Sequence, residues 1–125
     1  MNKPFEFTAR LRSFKYAITG LWTMLRSQHN AWLHALATIV VLAAGFFFGL
    51  SRIEWCLVAL AIMAVWTAEA LNTAFEFLAD ATNPEFHPLV KKSKDVAAAG
   101  VLISALGAAI IAALIFGPHV WSLFK

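Results

Sequence analysis

Three apolar runs, each about as long as a bilayer is thick, take up most of a chain of only 125 residues. They fall at about residues 31–50, 53–81 and 93–116. In hydrocarbon every backbone N–H and C=O must find its partner within the protein, and an α-helix meets that demand inside one segment. About 20 apolar residues make one helical crossing. The runs therefore predict an all-α membrane protein with three transmembrane helices and no length left for a separate soluble domain. Composition agrees, since 61% of the residues are hydrophobic and only 14% charged, which is too apolar for a soluble domain of this size.

The segments between the runs set the topology. Within residues 5–28, Phe7, Leu11, Phe14, Ile18, Leu21 and Leu25 recur at steps of three or four, with Arg10, Arg12, Lys15 and Arg26 largely on other faces. That spacing predicts an amphipathic helix lying in the membrane surface, its cations suited to an anionic leaflet. No small-residue cleavage pattern follows a short hydrophobic core, so a removable leader is not expected. Ser51 to Glu54 form a turn too short for anything but an antiparallel helix pair. Residues 81–92, with Asn83, Pro84, Pro88, Lys91 and Lys92, read as a polar connection, and Gly117-Pro118 reads as the stop of the third run. Lysine and arginine concentrate before the first run and between the second and third, which predicts a cytoplasmic N-terminus and second loop. Cys56 reads as a small hydrophobe, and the small residues Gly100, Ser104, Ala105 and Ala109 as helix-packing positions. Trp22, Trp32, Trp66, His34 and His119 read as interfacial anchors or packing groups.

The second run breaks its own pattern. Glu69, Asn72, Glu76 and Asp80 stand at offsets of three, seven and eleven, which at about 100° per residue gathers them into a stripe roughly 80° wide on one helix face. An ionised group near the bilayer centre costs on the order of 2.5–3.5 kcal/mol even on a lenient scale, so intramembrane carboxylates mark function by default. If the helix enters near Ile53, Glu69 lies about 24 Å along it, just inside the far boundary of a hydrocarbon core about 30 Å thick. Glu76 and Asp80 would then emerge at the headgroups. Such a stripe joins a dry phase to a wet one, and suits chemistry on a lipid headgroup with a soluble cosubstrate. Lys91, Lys92 and Lys94 would face the same level, with Lys94 paired to adjacent Asp95 at a helix start whose free N–H groups favour phosphate. Oxygen ligands such as Glu76 and Asp80, without cysteine, point to Mg²⁺, which typically binds through one or two carboxylates and substrate phosphates. The residues alone leave two rivals open: a small ion- or proton-conducting protein, and a non-catalytic assembly subunit. Against conduction, the stripe ends at Glu69 and the remaining apolar length offers almost no polar relay.

Three stretches together resemble a known family: Glu69-Ala-Leu-Asn72-Thr-Ala-Phe-Glu76-Phe-Leu-Ala-Asp80, then Pro84-Glu85-Phe86-His87-Pro88-Leu89, then Lys94-Asp95-Val-Ala-Ala-Ala-Gly-Val-Leu. The family is that of the small bacterial membrane lipid kinases, diacylglycerol kinase and undecaprenol kinase. Likeness through Phe14, Tyr16, Gly20 and His29-Asn30 extends it over nearly the whole chain. The resemblance implies a surface helix plus three transmembrane helices per subunit, a homotrimer in the bacterial inner membrane, and active sites shared between neighbouring subunits. It implies ATP as cosubstrate, Mg²⁺, and a membrane lipid alcohol as acceptor. It gives Glu69 the role of general base and Asn72 that of a supporting group. Glu76 would be the metal-binding carboxylate, with Asp80 supporting the site, and Tyr16, Gln28, Glu76, Glu85, Phe86, His87, Lys94 and Asp95 would contact ATP. Where many members have a metal-ligating glutamate before the first span this chain has Gln28, an uncharged candidate ligand. The wording from His87 to Lys91 and from Lys94 to Ala99 is closer to the undecaprenol kinase branch.

Overall fold

A computed structural model describes residues 4–125 as four α-helices: α1 over Phe7–Ser27, α2 over His29–Phe48, α3 over Arg52–Thr82 and α4 over Pro88–Ser122. The last three are long and apolar enough to cross a membrane, and the chain is a multi-pass membrane protein. At 1.5 Å per residue the 31 residues of α3 reach about 46 Å and the 35 of α4 about 52 Å. Both exceed a hydrocarbon core of about 30 Å, so each projects beyond the bilayer or tilts within it.

The joints follow from local chemistry. Gln28 alone separates α1 from α2, in an extended conformation (φ −118°, ψ 116°) that a continuing helix forbids. Met24 and Ala31 on either side of it are buried and pin the elbow. Helix α2 ends on Gly49 at φ 66°, the left-handed region where a side chain would be strained. Two residues later Ser51 caps α3: its Oγ accepts from the Glu54 N–H at 3.2 Å, and its own N–H donates to Glu54 Oε2 at 2.7 Å. That reciprocal capping box satisfies two otherwise free N–H groups and turns the chain back antiparallel.

Helix α4 differs from the sequence reading at both ends. It begins at Pro88, five residues earlier than the predicted span, because proline suits the first helical position and His87 Nδ1 accepts the Leu89 N–H at 3.2 Å. Lys91 and Lys92 are therefore on a helix, not in a loop. At the other end Pro118 lies inside the helix, not at its stop. Proline removes one hydrogen bond, but so near the terminus only one further turn depends on it.

Helix α3 packs mostly against α4. At the end near Gly49 the core consists of Leu50, Val58 and Ile115, with Val41, Phe48, Trp55, Ile62, Ile111 and Phe116 around them. Gly45 lets α2 close on Trp55: a Cβ at that position would lie 2.6 Å from the indole Cη2. His119, read from sequence as packing, meets Glu54 at 3.0 Å and ties the end of α4 to the start of α3. At the opposite end burial is polar, comprising Glu69, Asn72 and Thr73. The molecule thus has an aromatic end and an acidic end.

Candidate active site

The acidic end is assembled by the elbow and the second half of α3. Glu69, Asn72, Glu76 and Asp80 follow one face, and over those eleven residues the helix rises about 16 Å. Glu69 is 1% exposed. Neither of its carboxylate oxygens accepts a hydrogen bond from any described residue, and Asn72 Oδ1 and His34 Nε2 are likewise buried without a partner. His34 Nε2 lies 3.4 Å from Glu69 Oε2, beyond the usual 2.7–3.2 Å of a hydrogen bond. Buried polar groups are satisfied in the great majority of cases, so four open atoms at one place call for an explanation.

One turn further the elbow reaches in. Gln28 donates its Nε2–H to Glu76 Oε2 at 2.9 Å, and Asn72 donates Nδ2–H to Glu76 Oε1 at 3.3 Å. Glu76 is therefore held from both sides by neutral amides. In this arrangement Gln28 presents its nitrogen to the carboxylate, and rotation of the amide would be needed to offer its oxygen to a metal. Among the described residues no three His, Cys, Asp or Glu side chains converge on one point.

Beyond Glu76 the pairing differs from the sequence reading. Lys94 does not pair with its neighbour Asp95. It reaches across to α3 and donates to Asp80 at 2.8 Å, while Asp95 accepts from Lys91 at 2.6 Å. Helical geometry explains both: adjacent residues diverge by about 100°, whereas residues four apart share a face. Tyr16 is exposed on the wall of a cleft between α1 and α3 that includes Gly20, Thr23, Thr73 and Phe77. Glu85 and Phe86 are exposed in the connection between α3 and α4, and His87 caps α4. The structure thus joins Gln28, Asn72 and Glu76, and separately Asp80 and Lys94. Among the described residues, no hydrogen bond or ion pair runs from Tyr16, Glu85 or Phe86 to either group.

Two features of the site escaped the sequence reading. His34 faces Glu69, and Trp66 donates its indole N–H to Thr38 Oγ1 at 3.0 Å. The available signal was the polarity of His34 and Thr38 within an apolar run. Spacing along one helix does not reveal a partner on another. Past His34 the polar groups give way to a cleft of about 250 Å³ lined by Ala37, Val41, Ile62, Val65, Ala105 and Ala109, among others, so the acidic line does not cross the molecule.

A sequence model of prokaryotic diacylglycerol kinase matches residues 15–116. This chain belongs to the prokaryotic diacylglycerol kinase family. Among its relatives is an undecaprenol kinase of Bacillus subtilis, 40% identical over 113 residues that cover 90% of this chain and 92% of the relative. A diacylglycerol kinase of Synechocystis is 34% identical over 114 residues, 90% of this chain and 65% of its own length. A diacylglycerol kinase of Helicobacter pylori is 31% identical over 127 residues, 96% of each chain. As a member of the prokaryotic diacylglycerol kinase family the chain is an enzyme, a lipid kinase, with ATP implied as cosubstrate. Conduit and assembly roles fall away.

Proposed function

We propose that this protein transfers the γ-phosphoryl group of ATP to the hydroxyl of a membrane lipid alcohol at the cytoplasmic face of the bacterial inner membrane, with undecaprenol as first substrate and diacylglycerol as the alternative. The observation that carries the mechanism is Glu69, buried with neither oxygen partnered among the described residues, at the inner end of a face that continues through Asn72, Glu76 and Asp80. A substrate hydroxyl is the missing donor: it would hydrogen-bond to Glu69, which takes its proton as the oxygen attacks phosphorus. Asn72, one turn above, has an open Oδ1 and keeps Glu76 in place through its Nδ2. In phosphoryl transfer positioning and electrostatics dominate. Lys94, held at Asp80, would exchange that carboxylate for a phosphate oxygen.

Mg²⁺ fits Glu76 in one respect. A single carboxylate flanked by two amides, with substrate phosphates and water completing the shell, is within the range Mg²⁺ accepts. Glu76 would hold it, with the Gln28 amide oxygen after rotation and Asp80 once freed from Lys94. The ion would neutralise charge on the β- and γ-phosphates. Tyr16, Glu85, Phe86, His87 and Asp95 would contact the nucleotide, shared between subunits of a homotrimer, with α1 lying as an amphipathic helix on the membrane surface. The preference for undecaprenol is supported by the higher identity to a protein named for that substrate. Transfer of labelled γ-phosphate to undecaprenol and to diacylglycerol, side by side in mixed micelles, tests the reading. Labelled lipid that requires ATP supports it, and its absence with both lipids overturns it.

A further inference from the structure

From the pairing of His34 with Glu69 we infer that His34 is the proton acceptor that resets Glu69 after each turnover. The inference rests on the lipid-kinase reading and goes beyond it. In the transfer step the lipid oxygen bonds to the γ-phosphorus while the bond from that phosphorus to the β,γ-bridging oxygen breaks. ADP leaves, and the hydroxyl proton passes to Glu69. A second turnover requires the carboxylate to lose that proton, and at 1% exposure it has almost no direct path to water.

His34 supplies the path. Its Nε2 lies 3.4 Å from Glu69 Oε2, is buried, and donates to or accepts from no other described group. With hydrogen on Nδ1, the neutral imidazole presents a free Nε2 lone pair to Glu69. It accepts the proton there and releases one from Nδ1 to water, returning to the neutral ring with its hydrogen moved from one nitrogen to the other. Rotation or re-exchange restores the starting tautomer. Of the pair His34 is the more accessible, with 15% of its side chain exposed against 1% for Glu69. It is also only five residues from the start of α2, about 8 Å along the helix, at the end that the proposed function puts at the cytoplasmic surface. Among the described residues the ring's one ion-pair partner is Glu69 on α3, while the cleft wall from α4 consists of Ala105, Ala108, Ala109, Ile111 and Ala112.

The register that brings the two together is built in. Thr38, one turn beyond His34, donates to the His34 carbonyl at 2.7 Å and accepts the Trp66 indole N–H at 3.0 Å. Trp66 precedes Glu69 by three residues on α3, so the tie and the proton pair are adjacent rungs between antiparallel helices.

The test compares the full-length wild type with H34Q and H34A in micelles containing undecaprenol and Mg-ATP. Glutamine can still hydrogen-bond to Glu69 but cannot take its proton. H34Q is expected to lose at least about tenfold in kcat, approaching the range typical of acid–base groups, with KM for ATP within about twofold of wild type. Added imidazole is expected to restore turnover in H34A, where the ring site is open, and not in H34Q. A kcat for H34Q within twofold of wild type overturns the inference, as does a loss confined to KM. Should H34Q fail to fold, H34A decides: restoration by imidazole supports the role and no restoration overturns it. A wild type that phosphorylates neither undecaprenol nor diacylglycerol removes the kinase reading first, which separates the two failures.

Discussion

Trp66 and Thr38 are joined by a hydrogen bond of 3.0 Å between the middle of α3 and α2, and this side-chain tie lies one turn from the buried Glu69. W66F keeps the ring and loses the donor. Interhelical hydrogen bonds in membranes contribute about 0.6 kcal/mol on average and up to about 1.7. A loss of stability of that order, read as a lower thermal midpoint in detergent, is expected together with a several-fold fall in kcat because Glu69 loses its fixed position. Paired unfolding and phosphorylation measurements check both.

Glu69 itself separates chemistry from assembly. E69Q preserves shape and removes the proposed base. Turnover is expected to fall by at least about a hundredfold, while nucleotide binding and oligomeric state stay at wild-type level. Near-normal turnover would take Glu69 out of the mechanism.

Gln28 offers a gain-of-function test. Q28E replaces the amide that now donates to Glu76 by a second carboxylate. Without Mg²⁺ the two like charges repel and the thermal midpoint is expected to drop. With Mg²⁺ the proposed site carries more negative charge, and the concentration giving half-maximal activity is expected to fall several-fold. A Mg²⁺ titration of activity beside a melting curve with and without the ion reads both effects.

Lys94 and Lys91 differ by one turn yet point to different carboxylates. On the role proposed for Lys94 at the transferring phosphoryl, K94M is expected to lower kcat at least about a hundredfold. K91M breaks only an exposed pair between residues four apart and should retain activity within about twofold. Equal losses in the two variants would contradict the assignment.

Gly45 tests packing far from the chemistry. A leucine there would drive its Cβ to within 2.6 Å of Trp55, and overpacking of this kind typically costs about 1–3 kcal/mol. G45L should melt earlier. At temperatures where it remains folded its KM for ATP should match wild type.

The sequence displayed the parts of this molecule that depend on one helix at a time. Run lengths gave three apolar helices, and the offsets from Glu69 to Asp80 gave a single polar face, because both follow from the 3.6-residue repeat. What it withheld depends on which helix faces which. Lys94 finds Asp80 fourteen positions away in preference to adjacent Asp95, and His34 finds Glu69 across a helix interface. The reading of Gly117-Pro118 as a stop failed for another reason: a proline near a terminus disturbs too few backbone hydrogen bonds to end the helix. Gln28 departs visibly from the family pattern, but only three-dimensional placement turns its nitrogen toward Glu76.

Helix α3 is about 16 Å longer than the hydrocarbon is thick, and on the proposed function that surplus separates the traffic of the two substrates. A greasy alcohol can arrive sideways from the leaflet and depart the same way carrying its phosphate, while nucleotide comes and goes from above along the projecting turns. Neither has to pass through the other's medium, so a leaflet crowded with acceptor need not obstruct the exchange of ADP for ATP.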